Sequence, residues 1–80
     1  MTGKIPGKRV VGVKQTTKAV KSGSAKIVYI AKDADEKLVK PLIDLCVQNN
    51  VEITYVPTME KLGSLCCINV GAAAACVVKE

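Results

Sequence analysis

Eighty residues make one domain, close to the lower size at which a single core folds without a disulfide or metal staple. Apolar residues form 49% of the chain, drawn mainly from Val, Ile, Leu, Ala and Cys, with no Phe or Trp and only Tyr29 and Tyr55 as aromatics. That composition excludes disorder and predicts a thin, closely packed core rich in β-branched strands.

The net charge of +5 is unevenly placed: Lys4, Lys8, Arg9, Lys14, Lys18, Lys21, Lys26 and Lys32 precede the first acid, and all seven acids lie between Asp33 and Glu80. A folded domain with this distribution can present one face to a polyanion, although a lysine-rich face that merely solvates the protein reads the same way. No apolar run reaches the roughly 18 to 20 residues of a membrane span, and the opening MTGKIPGKRVV lacks the apolar stretch of a signal peptide. A cytoplasmic protein without a membrane partner is expected. Cys46, Cys66, Cys67 and Cys76 form no CxxC pair, and histidine is absent. They read as small core thiols, with no metal and no cofactor, while the adjacent Cys66 and Cys67 keep a redox or metal-binding reading open.

In chain order, residues 1–9 read as a loose basic arm and 10–78 as the folded core, the arm marked by Gly3, Pro6 and Gly7. Val10 and Val11 make a short apolar step into Gly12. From Val13 to Ser22 the spacing predicts a helix with Val13, Thr17 and Val20 on one face and Lys14, Lys18 and Lys21 on another, stopped by Gly23. Lys26 to Ala31 has the length and branching of a buried strand. Either Asp33 or Asp35 can cap the next helix, whose apolar positions are Leu38, Leu42, Leu45 and Cys46. Pro41 either kinks that helix or begins it. Asn49 and Asn50 end it. Glu52 to Val56 is a second strand, and Met59 to Leu65 a short helix capped by Thr58. Ala72 to Val78 is ambiguous, helical by its alanines, but small residues also suit a strand squeezed between helices. A strand is the reading taken. The alternation predicts an α/β domain: a single three-layer α-β-α sandwich on a small mixed sheet of about four strands.

Enzymatic constellations are scarce. The chain has no histidine, GxSxG, P-loop or dinucleotide-binding glycine set, so neither catalysis nor a small-molecule substrate is expected. Asp33 and Asp35 sit where a strand meets a helix, a common place for sites, but capping explains them more cheaply. The informative segment is Gly12 to Lys21, GVKQTTKAVK. A glycine before a helix allows close backbone approach, the helix start offers unpaired N–H groups, and lysines follow at helical spacing. Gln15 adds an amide that both donates and accepts, as reading a base edge requires. An ordinary amphipathic helix with a wet lysine face fits the same residues. With almost no aromatics, the chain lacks the stacking platforms of single-strand binders, so any RNA partner would be read through folded shape, grooves and phosphates.

Four blocks in order, Gly12-Val13-Lys14-Gln15-Thr16-Thr17-Lys18, Ala31-Lys32-Asp33-Ala34-Asp35, Val56-Pro57-Thr58-Met59-Glu60-Lys61-Leu62-Gly63 and Val70-Gly71-Ala72-Ala73-Ala74, resemble the kink-turn RNA-binding superfamily of ribosomal proteins. The short length and the Lys14-Gln15 pair are most like its bacterial members. The resemblance implies the same α-β-α fold and a partner that is a structured RNA containing a kink-turn, of ribosomal or riboswitch type, with the ribosome as an alternative setting. It implies that Gly12 permits close approach, that Lys14 and Gln15 face guanine edges at tandem sheared G·A pairs, and that Lys18 reaches guanine or phosphate. Lys21 extends the same basic face. Ile68, Asn69 and Val70 would cover the bulged nucleotides, and Val39, with Asp35 near it, would line a pocket for an extruded base. Two departures stand out. Many family members carry Asn-Glu where this chain has Lys14-Gln15, which replaces a charged acceptor by an amide. Cys67 stands where a glycine usually ends the helix, and a left-handed backbone there would be strained.

Overall fold

A computed structural model describes residues 8–79; residues 1–7 of the arm expected over 1–9 lie outside that range. Seven elements alternate: β1 (Arg9–Val11), α1 (Val13–Lys21), β2 (Ala25–Ala31), α2 (Glu36–Gln48), β3 (Glu52–Val56), α3 (Met59–Leu65) and β4 (Ala74–Val78). They form one four-stranded sheet in the order β1-β4-β2-β3. The β4 strand runs antiparallel to both β1 and β2, and β2 and β3 are parallel. The sheet is therefore mixed, as expected.

Period-two alternation divides the interior into two layers. Val28, Ile30, Ala74 and Cys76 face α1 and α2, where they meet Ala19, Val20, Val39, Leu42 and Cys46. Ala31, Ala75 and Val77 face the other way and pack with Leu62 and Cys66 of α3 and its C-cap. Central β4, AACVV, is buried over Ala74–Val77. Its small side chains let helices approach from both sides, which is why the alanine-rich tail is a strand rather than a helix.

Several local expectations shift. Arg9 is already in β1, so the folded region begins within the span read as arm. The β2 strand starts at Ala25 and carries an irregularity between Ala25 and Ile27 where it pairs with β4. On α1 the buried set is Thr16, Ala19 and Val20, whereas Val13 and Thr17 are only half-buried. Thr17 turns its hydroxyl back onto the Val13 carbonyl at 2.7 Å, which frees it from the core, and the small Thr16 and Ala19 fit the shallow floor that β4 provides. The α2 helix begins at Glu36, not at Pro41, and Pro41 lies inside it on the exposed side, where the backbone groups it leaves unpaired can reach water.

Candidate nucleic-acid interface

Strands β1, β2 and β3 run the same way and β4 runs against them. The β1–α1, β2–α2 and β3–α3 junctions and the approach to β4 therefore share one end of the sheet. Backbone hydrogen bonds knit them together. Gly12 N donates to Ala74 O at 2.8 Å, Ala31 N to Ala73 O at 2.9 Å, Lys32 N to Val56 O at 2.8 Å and Ala72 N to Met59 O at 3.0 Å. The Asp33 carboxylate accepts from Met59 N at 2.7 Å, so Asp33 ties the start of α3 while Asp35 alone caps α2, accepting from Lys37 N at 3.0 Å.

Gly12 is the N-cap of α1 with φ 105° and ψ 149°, a conformation almost restricted to glycine. Among the described residues no side chain caps this helix, and no acid occupies its first turn, so no described side chain offsets its first N–H groups and positive dipole end. Lys14 and Gln15 are exposed in the first turn beside that end, and Lys18 is exposed in the last turn of the same helix. Lys21 is exposed on the same stripe, at roughly 1.5 Å per residue about 10 Å along the axis from Lys14, and falls at the opposite end of the helix.

The segment 66–71 closes the same end of the molecule. The N–H of Cys67 bonds Ser64 O at 3.0 Å and that of Ile68 bonds Gly63 O at 3.0 Å, the pairing of a Schellman cap with Cys67 as its left-handed residue. Its φ is 62°, so the strain expected at this non-glycine position is present. Ile68 is half-buried and packs into the core under α3, which makes it an anchor. Asn69 and Val70 are exposed, Val70 at 69%. A cavity of about 460 Å³ lies against them, lined by Asp33, Met59, Glu60, Ser64, Ile68, Asn69, Val70 and Gly71.

Val39 is 4% exposed and belongs to the core between α2 and the sheet. It forms the floor of a second cleft, of about 370 Å³, with Ile30, Ala31, Lys32, Ala34, Glu36, Ile43 and Tyr55 around it. Asp35 is exposed but does not line this cleft. The structure thus groups Gly12, Lys14 and Gln15 at one helix end, with Lys18 further along the same helix, and Asn69 and Val70 on a neighbouring loop. It leaves Lys21 at a distance and makes Val39 and Ile68 chiefly packing residues. Sequence reading missed Arg9, Asp33 in its tie to Met59, and Met59 itself; the Asp33–Met59 contact joins two of the quoted motif blocks, a long-range pairing with no local signal.

The cysteines are free, with Cys46, Cys66 and Cys76 buried and Cys67 exposed. Burial raises the thiol pKa of all three buried residues; at Cys66 the Arg9 charge, and at Cys76 the Thr16 hydroxyl, oppose that rise. Among the described residues no group of three or more His, Cys, Asp or Glu could hold a metal ion.

This sandwich, with a glycine-started basic helix and a capped loop at one end, belongs to the Ribosomal protein L7Ae/L30e/S12e/Gadd45 family, whose pattern matches residues 2–80. The chain is 49% identical over 75 residues to RNA-binding protein TTE2299 of Caldanaerobacter subterraneus subsp. tengcongensis, covering 94% of this chain and 92% of that protein. It is 42% identical over 73 residues to RNA-binding protein YbxF of Geobacillus stearothermophilus, covering 91% and 89%. Among solved structures, the Giardia lamblia 15.5kD RNA binding protein superposes with a TM-score of 0.84 at 29% identity over 90% of this chain, which spans 61% of that one.

Proposed function

We propose that this chain binds RNA, and that within structured RNA it recognises the kink-turn, stabilising its bent form. The observation that carries this reading is the juxtaposition at one end of the sheet of an uncapped, glycine-started helix bearing exposed Lys14, Gln15 and Lys18 with an exposed loop at Asn69–Val70. The helix end supplies N–H donors and positive potential for phosphate, the lysines add counterion-releasing contacts, and Gln15 offers the donor and acceptor that a sheared G·A edge presents. The relatives named as RNA-binding proteins support the coarser part. No step of chemistry is involved: the protein shifts a bend only by binding the bent state more tightly than the extended one.

The test is titration of a doubly labelled kink-turn duplex followed by energy transfer, beside a duplex lacking the G·A pairs. The wild type is expected to bend only the first, and Gln15→Ala to lower the ratio of the two affinities by about 1–3 kcal/mol. An unchanged ratio in Gln15→Ala would remove the base-reading role, and equal responses of the two duplexes in the wild type would remove the kink-turn. A ribosome-held component is the second reading, favoured by the ribosomal members of the family; co-sedimentation with ribosomal subunits supports it.

A further inference from the structure

The reach of Arg9 connects the two halves of the candidate interface. Its Nε and Nη2 donate to the Cys66 carbonyl at 3.2 and 3.1 Å, across 57 residues of sequence. Cys66 is the C-cap of α3. The Schellman pairing already satisfies the carbonyls of Gly63 and Ser64, and Arg9 brings a donor pair and a positive charge to the carbonyl of the C-cap residue Cys66, at the negative end of the helix. The residue that follows is Cys67, whose φ of 62° an L side chain adopts only under constraint. Beyond it runs the loop 68–71, anchored by half-buried Ile68 and exposed over Asn69, Val70 and Gly71. Arg9 is also the first residue of β1, and β1 leads directly into Gly12 and the docking helix.

We propose that Arg9 is a positioning residue for RNA binding: by latching the Cys66 carbonyl it holds the left-handed turn at Cys67 and so fixes the loop Ile68–Gly71 relative to the start of α1. This rests on the RNA-binding reading above. The edge of the guanidinium that carries Nε and Nη2 is committed to the carbonyl, and Arg9 is half-buried, so its action on RNA is through the loop and not through phosphate. The strain and the latch are coupled. A glycine at position 67 would hold the turn unaided, and the latch would then be dispensable.

The experiment compares wild type, Arg9→Met, Arg9→Lys, Cys67→Gly and the Arg9→Met/Cys67→Gly double variant, each as the full chain, on kink-turn RNA with and without the G·A pairs and over a range of salt. Arg9→Met, which keeps an apolar stem, is expected to weaken binding about tenfold, as a loop correctly placed a tenth of the time requires. Its salt dependence should equal that of the wild type. Arg9→Lys should fall between the two, and Cys67→Gly should bring the double variant back to within about twofold of wild type. In the absence of RNA, the amide protons of Cys67 and Ile68 should exchange faster in Arg9→Met and return to slow exchange in the double variant. Wild-type affinity in Arg9→Met, no rescue by Cys67→Gly, or a salt slope lowered by about one, the signature of a lost phosphate contact, would each overturn the proposal. If Arg9→Met does not fold, the same readings are taken on Arg9→Lys. If the wild type itself ignores the G·A pairs, it is the kink-turn reading that fails, and the exchange measurement still decides the latch.

Discussion

At the scale of single residues, Thr16 is the sharpest anomaly. It is fully buried between α1 and the sheet, and among the described residues its Oγ1 makes no hydrogen bond of good geometry. The group it faces is the Cys76 thiol, and sulfur is a weak acceptor. A buried hydroxyl without a full partner costs about 1–3 kcal/mol. Replacing it with an isosteric apolar side chain removes that cost without opening a cavity. Thr16→Val is therefore expected to raise the stability measured by urea unfolding by about 1 kcal/mol, with RNA binding unchanged; a loss of stability would show that the Thr16–Cys76 contact counts as a true bond. Nothing in the sequence marked Thr16, because the helical spacing of Val13, Thr17 and Val20 pointed to a neighbouring face. Gly12, Lys14, Gln15 and Lys18 were legible because their significance is local: a glycine, a helix start and a set of charges at fixed spacing. Arg9 was not, since its partner lies 57 positions away.

At the scale of elements, alternation of apolar runs with turn residues gave the order of helices and strands, and Thr58 caps α3 as read, accepting from Lys61 N at 3.0 Å. What local pattern cannot give is pairing. The placement of β4 between β1 and β2 depends on which surfaces accept a strand of small residues, and that is settled by packing from both faces. The contact of α3 with the loop it precedes shows the same non-local control. Gly63 is buried, and a Cβ built there would run into the Val70 carbonyl oxygen. Gly63→Ala must therefore displace either α3 or the loop that carries Asn69 and Val70. The expected cost is about 1–3 kcal/mol of stability, as for other overpacked sites, together with weaker RNA binding than the stability loss alone explains. Heat denaturation and the kink-turn titration, read side by side, check this; intact binding in a destabilised variant would mean that α3 moves instead of the loop or that the loop does not touch the RNA.

At the scale of the whole molecule, the lopsided charge seen in the sequence becomes an interface only through topology. Three parallel starts and one antiparallel return put Gly12, Asp33, Met59 and the 66–71 loop at one end, and no composition or spacing could have announced that grouping without the family resemblance. The same architecture places thiols in both apolar layers, Cys46 and Cys76 under α1 and α2 and Cys66 under α3. Desolvation raises the pKa of each, so the folded protein keeps these protons at a pH where the unfolded chain has begun to release them. Above the ordinary thiol pKa of about 8.5 the unfolded state then binds fewer protons than the native one, and stability falls as pH rises; below it the contribution is fully present. Urea unfolding midpoints are expected to hold steady between about pH 7 and 8 and to decline above about pH 8.5. Cys46→Ala, although less stable at neutral pH because it leaves a small void, should show a shallower decline over the same range. If its midpoint falls with pH as steeply as that of the wild type, the loss at alkaline pH comes from groups other than the buried Cys46 thiol.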